Sequence, residues 1–264
     1  MAALPQYIFD SHTGFTAPPS PGWTFGEKVD ETGEGRAWLE GDKAGWKFVE
    51  PEKEAPVNMY KLLVSGIVPR PIAFVSSESA IGVQNLAPFS WFNMVTFDPP
   101  TVSISILNSR GQQKDTTANI RATKQFVVNI ISEPFIHQAN ATSIEAPEQV
   151  SEWVLSGLTQ EASTFVKPPR VKESAFAMEC ELYDIIDIKH PGTGAANAAL
   201  VLGLIKGIHV RKDVLNDKGL VDPFKLRSVS RMGDVTYARV GDAFRIARPG
   251  WAEGEEAMVR LGKA

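Results

Sequence analysis

The first residues that could do chemistry lie between two apolar runs, at residues 72–75 and 101–106. Between these runs we expect a loop, which includes residues 85–90 and carries the amide of Asn85 and the hydroxyl of Ser90 among several aromatic residues, with no run of charge. Such a segment suits a flat, partly apolar ligand that also needs a few hydrogen bonds. We therefore expect a small-molecule site along this stretch.

A second polar group stands before a helix that is predicted to run through about Lys124. Asp115 or Thr116 is the expected N-cap of this helix, and Arg110 and Lys114 stand just before it. A helix N-terminus offers free N–H groups and a partial positive charge, which bind a phosphate monoester readily. From the residues alone, a plain capped helix with solvated basic residues is the simpler interpretation.

The remaining reactive residue types do not assemble into a nucleophile with a base, or into a metal cluster. Glu179 and Glu181 stand two apart on a predicted strand, so we expect them to share its solvent face rather than to act as an acid–base pair. Cys180 falls on the apolar face, where a thiol is usually inert, and as the single cysteine it excludes an internal disulfide. His209 is isolated in sequence and is expected to be structural.

The elements that must position these residues are mostly strands. Strict alternation puts Val102, Ile104 and Ile106 on one face of a strand, with Ser103 and Ser105 on the other. Strands so frequent, with helices so few and short, exclude a doubly wound sheet, and we predict a mainly β protein: an antiparallel barrel with helical inserts. Further strands are predicted at residues 72–75, 126–131, 177–185 and 199–210, and helical segments at residues 58–64, within 134–147 and within a lid-like insert at 150–165.

Composition limits the class of protein. The 264 residues, 43% of them hydrophobic, can bury one substantial core. The net charge of −4 disfavours nucleic acid and anionic membranes as partners. With no apolar segment long enough to span a bilayer and no signal-peptide pattern, we expect a cytoplasmic protein.

The N-terminal region differs from the rest of the chain. Residues 1–56 have no sustained period, yet they carry dispersed aromatic residues, which disordered segments usually lack. We expect an extended arm that packs these aromatic side chains on the barrel or on a partner subunit; a surface extension with local contacts only is equally open. The predicted division is an arm at 1–56, a barrel domain at 57–245 and a tail at 246–264.

Four sequence blocks, in order, resemble the flavin reductase-like family, which has the FMN-binding split-barrel fold. The blocks are PRPIAFVS at residues 69–76, NLAPFS at 85–90, DPP at 98–100 and KDTTANI at 114–120. The similarity extends over roughly residues 58–237, and the combination of blocks is specific where each alone is weak. The resemblance implies bound FMN, with NADH or NADPH as the reductant, and a homodimer with FMN at its interface.

The resemblance also implies roles for individual residues. Arg110, Lys114 and Thr116 become candidates for the ribityl phosphate, and Trp91 or Phe92 for packing near the flavin ring. His137 is a weak catalytic candidate that could approach a nicotinamide or flavin edge, and equally an ordinary surface histidine. The implied cofactor-binding residues are Arg70, Ser76, Asn85, Leu86, Ala87, Pro88, Phe89, Ser90, Ser103, Ser105, Arg110, Lys114, Asp115 and Thr116.

The sequence leaves three functions open. The first is an FMN oxidoreductase that uses reduced nicotinamide to reduce flavin, for example for a partner monooxygenase, or to reduce an acceptor directly. The second is an FMN-dependent oxidase or monooxygenase acting on a small organic molecule, and the third is a non-enzymatic flavin-binding barrel. The chain lacks the Gly-Asp-His or late His-x-Gly-x-Tyr segment of many reductase components, which weakens the case for releasing free reduced flavin.

Overall fold

The computed structural model describes residue 7 and residues 14–108 and 112–262. The chain divides into two compact units: a terminal unit, formed by the described residues up to 59 and from 241, and a barrel unit of residues 60–240. Arg110, a predicted phosphate ligand, lies outside the described residues. None of the helices in the described ranges is long and apolar enough to cross a membrane.

The described residues form short helices between groups of consecutive strands. The helices are α1 Gly33–Leu39, α2 Pro56–Gly66, α3 Asp115–Thr123, α4 Ile136–Ala141, α5 Glu152–Ser156, α6 Pro223–Leu226 and α7 Trp251–Arg260. The strands are β1 Phe15–Thr16, β2 Ala73–Glu78, β3 Gln84–Phe89, β4 Phe92–Phe97, β5 Pro100–Leu107, β6 Gln125–Ile130, β7 Gln160–Glu161, β8 Arg170–Val171, β9 Phe176–Lys189, β10 Ala196–Val210, β11 Val229–Arg231, β12 Tyr237–Arg239 and β13 Ala243–Phe244. Short 3₁₀ helices occur at Val29–Glu31, Glu40–Ala44, Pro51–Lys53, Glu133–Phe135 and Lys212–Val214.

In the barrel unit the described residues form a seven-stranded antiparallel sheet. Its strand order is β3-β2-β6-β9-β10-β5-β4. The two end strands, β3 and β4, follow each other in the chain, so the sheet curls until its ends are joined by a short connection rather than by a ladder of hydrogen bonds. The predicted mainly β fold with helical inserts is confirmed.

One core cluster collects apolar side chains from strands on both halves of the sheet. Val75 of β2, Val102 and Ile104 of β5, Phe126 of β6 and Val201 of β10 belong to it. Strands this far apart in the sheet order share one core only because the sheet wraps around it. The alternation predicted for β5 is confirmed, since its valine and isoleucines are buried and its serines half-buried.

A glycine allows the closest contact inside this core. A Cβ on Gly203 of β10 would stand 2.4 Å from the ring of Phe126. The β9–β10 ladder shifts register between Leu202 and Gly203, so the strand bends where the missing side chain leaves room for the ring.

Two sequence predictions about local structure are wrong. Residues 85–90 were expected to form a loop, but most of them lie in β3, where Pro88 pairs with Phe74 of β2. The N-cap of α3 is Lys114, and Asp115 is the first helical residue. Proline in an end strand explains the first error, because a missing N–H is tolerated where no neighbouring strand needs it.

The terminal unit joins the two ends of the chain. β1 pairs in parallel with β13, and the guanidinium of Arg245 stacks 4.1 Å from the centroid of the Phe15 ring. Trp23 and Phe25 make an edge-to-face contact with their centroids 5.6 Å apart. That the remaining arm aromatics pack on a barrel or a partner subunit stays a prediction.

Candidate functional site

A cleft of about 440 Å³ opens in the barrel unit beside β3 and the N-terminus of α3. Its volume lies in the range of small-molecule sites. Nine of the residues predicted to bind a cofactor line it: Asn85, Ala87, Pro88, Phe89, Ser90, Ser105, Lys114, Asp115 and Thr116. Two stretches that are distant in sequence therefore meet, as the prediction requires.

Four other predicted residues are not among those lining the cleft. Ser76 is buried and donates its hydroxyl proton to the carbonyl oxygen of Pro169. Leu86 points into a second core cluster, and Ser103 lies on the outer face of β5. Their side chains serve the scaffold, although the backbone N–H of Leu86 takes part in the site, as described below.

The fourth residue, Arg70, does not line the cleft but contacts a residue that does. Its buried guanidinium donates to the carbonyl oxygens of Val64 (2.5 Å), Ile67 (2.6 Å) and Met232 (2.8 Å). Its Nε lies 3.4 Å from the hydroxyl of Ser90, which does line the cleft. Burial lowers the pKa of Arg70, yet a guanidinium stays charged at any ordinary pH. Arg70 therefore joins the start of β2 to α2 and to the segment after β11.

Asn85 and Glu152 form the central contact of the cleft. Glu152 begins α5, is only 4% exposed, and was not predicted from the sequence. Its Oε2 accepts hydrogen bonds from Nδ2 of Asn85 (2.9 Å) and from the backbone N–H of Leu86 (3.1 Å). The helical insert is thereby attached to β3 by a carboxylate with two donors.

The other side of the Asn85 amide binds α3. Its Oδ1 accepts from the hydroxyl of Thr116 at 2.7 Å and from that of Ser77 at 3.3 Å. Asn119, one turn further along α3, donates to the Ser77 hydroxyl at 3.1 Å. These side chains are all buried, so each hydrogen bond forms away from competing water.

The N-terminus of α3 faces the cleft with unused donors. Lys114 has extended backbone dihedrals, and among the described residues no side chain caps the helix. The first N–H groups of a helix have no partner inside it and carry a partial positive charge. Lys114 adds a full positive charge at the same place, so this end of the cleft suits an anionic group.

Two carboxyl groups in the cleft are held closer to the neutral state than usual. Burial raises the pKa of Glu152, hydrogen bonds from its own N–H, Leu86 and Asn85 oppose that rise, and Asp115 adds to it. Burial also raises the pKa of Asp115, Glu148 adds to the effect, and Lys114 opposes it. The negative charge that would repel an anion at this end is therefore smaller than the residue types suggest.

Large apolar side chains complete the walls. Tyr60, Phe89 and Trp91 line the cleft together with Leu107 and Ile144. Phe89 and Trp91 belong to the aromatic stretch that the sequence had indicated. No sequence pattern indicated that Tyr60 and Ile144 would line the cleft. Their positions depend on how α2 and the segment after α4 pack against the barrel.

Glu179 corrects the interpretation of β9 outside the cleft. It is fully buried rather than on a solvent face, and its carboxylate accepts the backbone N–H groups of Thr164, Phe165 and Val166. His209, predicted to be isolated, lies with its Nε2 2.5 Å from Oε1 of Glu179. Burial alone would raise the pKa of Glu179, but these hydrogen bonds outweigh it and leave that pKa lowered.

The remaining predicted candidates contribute no chemistry to the cleft. His137 on α4 is exposed and does not line it. Cys180 is buried in the first core cluster, as predicted, and burial raises the pKa of its thiol. Within the described residues, no group of three or more His, Cys, Asp or Glu side chains is placed to hold a metal ion.

Comparison with known proteins places this geometry among flavin proteins. Residues 65–226 match the family described as flavin reductase like domain. The chain is similar to nitrilotriacetate monooxygenase component B from Bacillus cereus, with 33% identity, a TM-score of 0.74, and coverage of 76% of this chain and 99% of that one.

Two further solved structures extend the comparison. The 2-nitrobenzoate 2-nitroreductase from Pseudomonas fluorescens is 28% identical, with a TM-score of 0.67 and coverage of 77% of this chain and 96% of that one. A protein with a split barrel domain from Shewanella frigidimarina shares the fold at 20% identity, with a TM-score of 0.68 and coverage of 78% and 100%. The sheet described above is thus a split barrel.

Proposed function

Because the chain belongs to the flavin reductase-like family, we propose that its cleft binds FMN and that the protein is an oxidoreductase driven by NADH or NADPH. The observation that carries the proposal is the meeting of β3, an uncapped helix N-terminus and an aromatic wall in one cleft. Each of these suits a different part of FMN: the ring edge, the phosphate and the ring faces.

The residues present fit this cofactor. The uncapped end of α3 with Lys114 offers donors and positive charge to a phosphate. Asn85 and the backbone from Ala87 to Ser90 offer hydrogen bonds to the polar edge of a flat ring, and Phe89 and Trp91 offer apolar surface. The cleft lining thus offers polar groups for the phosphate and the ring edge of FMN, and apolar side chains for the faces of its ring.

The chemistry itself would come from the cofactor. Bound FMN supplies a group that takes two electrons from a reduced nicotinamide and passes them to an acceptor. The chain binds and orients: the α3 terminus holds the anionic end, Asn85 fixes the ring edge, and the aromatic wall excludes water from the ring. No nucleophile is required, which agrees with the exposed His137 and the buried Cys180.

Two acceptors are supported by different relatives. Similarity to a monooxygenase component B favours supply of reduced flavin to a partner monooxygenase. Similarity to a nitroreductase favours direct reduction of a small organic acceptor at the cleft. An oxidase acting on a small organic molecule and a binding protein without activity remain distinct alternatives, because a shared fold does not by itself fix the reaction.

An apolar outer face of the sheet supports a homodimer. Ile186 of β9 pairs with Leu200 of β10, which pairs with Ser105 of β5, and Ser105 lines the cleft. Ile186 and Ile188 are 45% and 47% exposed in the single chain. An apolar face that runs to the edge of a binding site suits a second copy that completes the site.

The first experiment is the visible spectrum of the purified protein, with FMN added where none copurifies. Anaerobic NADH and then NADPH are added to the flavin-loaded protein. Bleaching at a useful rate supports the nicotinamide oxidoreductase, and a separate addition of a nitroaromatic or of oxygen identifies the acceptor. A spectrum that stays oxidised favours an organic reductant, and a protein that binds no added FMN contradicts the proposal.

A further inference from the structure

We propose that Glu152 is a positioning residue that orients the amide of Asn85 as a hydrogen-bond donor toward the ligand in the cleft. The proposal rests on the function above, with FMN as the ligand. It assigns a role to a helical insert that carries no group expected to react. The ligand must then present a hydrogen-bond acceptor to Asn85, such as a ring carbonyl oxygen or an unprotonated ring nitrogen.

A backbone group fixes the direction of the hydrogen bonds. The N–H of Leu86 can only donate, so the Oε2 atom of Glu152 that it contacts must accept. An ionised carboxylate can only accept, so the Asn85 atom 2.9 Å from the same oxygen is then the donor Nδ2 rather than Oδ1. The orientation of an asparagine amide is thereby set by its hydrogen-bond network.

The oxygen of the amide is fully used inside the protein. Oδ1 of Asn85 faces the hydroxyls of Thr116 and Ser77, and both must donate because this oxygen can only accept. Ser77 in turn accepts from Asn119. Asn85 is left with its second Nδ2 hydrogen, for which the described residues offer no partner, and Asn85 lines the cleft.

Among the described residues, Glu152 alone prevents the opposite orientation. The hydroxyls of Thr116 and Ser77 can donate or accept, so they would serve either orientation of the amide. The carboxylate is an obligate acceptor when ionised, and it holds the amide in the donor orientation from 67 residues away in sequence. Its own position is held by Trp153, the next residue of α5, which is buried in the second core cluster with Leu86.

The network also changes the role of Thr116. Its hydroxyl proton is committed to Asn85, so its side chain has no proton to give to a phosphate. Any hydrogen bond from this residue to a phosphate must therefore be donated by its backbone N–H at the start of α3. The specificity of this end of the cleft therefore comes from backbone donors and one oriented amide.

The test is a double-mutant cycle on FMN affinity, measured by quenching of flavin fluorescence. Asn85→Ala should weaken binding roughly fivefold to tenfold, the effect of one net hydrogen bond. Glu152→Ala should weaken it by a similar factor, and the double variant should be no weaker than Asn85→Ala alone, because Glu152 acts through Asn85. If the double variant instead loses FMN affinity by the product of the two single-variant factors, the proposal is overturned.

Glu152→Gln is the rescue variant, since its amide oxygen can still accept from Leu86 and Asn85. We expect its FMN affinity within about twofold of the wild type. Glu181→Gln makes the same chemical change on β9, outside the cleft, and serves as the control. A loss in Glu152→Gln as large as that in Glu152→Ala would mean that the charge rather than the orientation matters, and would overturn the proposal.

A second readout needs no flavin and separates this proposal from the proposed function. In ¹H–¹⁵N spectra of the unloaded protein, the side-chain amide of Asn85, assigned by its loss in Asn85→Ala, should show one slowly exchanging hydrogen in the wild type and in Glu152→Gln. Fast exchange of both hydrogens in the wild type would overturn the proposal even where FMN binds. Slow exchange in a protein that binds no FMN would support the orientation while contradicting the flavin function.

Discussion

Nε2 of His209 lies 2.5 Å from Oε1 of Glu179, and the same carboxylate accepts three consecutive backbone N–H groups of the segment that leads into β8. One buried side chain of β9 thus contacts both the segment at residues 164–166 and a residue of β10. Since a buried carboxylate is costly unless it is fully hydrogen-bonded, we expect the removal of any part of this arrangement to destabilise the protein.

Glu179→Gln should lower the free energy of unfolding by roughly 1.5 to 3 kcal/mol at pH 7, the range for hydrogen bonds to a charged group. The pKa of Glu179 is lowered from 4.5, so its contribution is complete above that pH and is lost as the pH falls through the folded-state pKa. Urea unfolding at a series of pH values should show the difference shrinking in acid. Glu181→Gln, on the exposed pair with Lys206, should stay within roughly 0.5 kcal/mol of the wild type.

Glu152 should have the opposite pH dependence. Its pKa is raised above 4.5, so the folded protein keeps a proton that the unfolded chain releases. This contribution to stability is present below pH 4.5 and is lost as the pH rises through the folded-state pKa. The wild type should therefore lose stability relative to Glu152→Gln on going from acid to neutral pH. A difference between the two proteins that is constant over this range would contradict the prediction; Glu179 is common to both and cancels.

Replacement of Arg70 should destabilise the protein without involving the ligand directly. Arg70→Ala leaves the carbonyl oxygens of Val64, Ile67 and Met232 without their donor, and we expect a loss of roughly 2 to 4 kcal/mol in the free energy of unfolding. Chemical denaturation measures it. Arg211→Ala, which removes a surface guanidinium paired with Asp213, should cost less than roughly 1 kcal/mol.

Gly203→Ala should be costly although it adds a single methyl group. The new Cβ would meet the ring of Phe126 at 2.4 Å in a fully buried site, so we expect a loss of roughly 1 to 3 kcal/mol. Gly66→Ala meets nothing within 4 Å and should be neutral within roughly 0.5 kcal/mol. Thermal unfolding of the two variants compares them, and Phe126→Leu in the Gly203→Ala background should recover part of the loss if the ring is the obstacle.

Lys114→Ala tests the assignment of the phosphate. FMN affinity should fall about tenfold at low ionic strength, because one charge at the start of α3 is removed, whereas riboflavin, which lacks the phosphate, should bind the variant and the wild type equally. Added salt should narrow the FMN difference. An equal loss for both ligands would instead place Lys114 at the ring or the ribityl chain.

Local patterns predicted what local geometry controls. The alternation of Val102, Ile104 and Ile106 with serines follows from the period of a strand, and it holds whatever packs on either face. The blocks at residues 85–90 and 114–120 pointed to two walls of the cleft, but their meeting depends on β3 lying beside α3, which no local period encodes.

Contacts between distant segments explain what the sequence did not reveal. Glu179 was expected to be solvated because its strand alternates, but the segment at residues 164–166 covers that face. The sequence did not single out Glu152, because acidic residues are common in the first turn of a helix, where they interact favourably with the helix dipole. Its partner Asn85 becomes recognisable only when α5 docks on β3.

The cleft is not formed by one continuous stretch of chain, since β3, α3 and α5 meet there through the amide of Asn85. Five-residue α5 makes few internal hydrogen bonds, so it should open at a lower free energy than the central strands. A partly opened molecule would keep its sheet and lose its ligand. Release of the flavin would then precede the loss of β structure during denaturation. The change in the visible spectrum of the bound flavin would report the first sub-global opening of the native state.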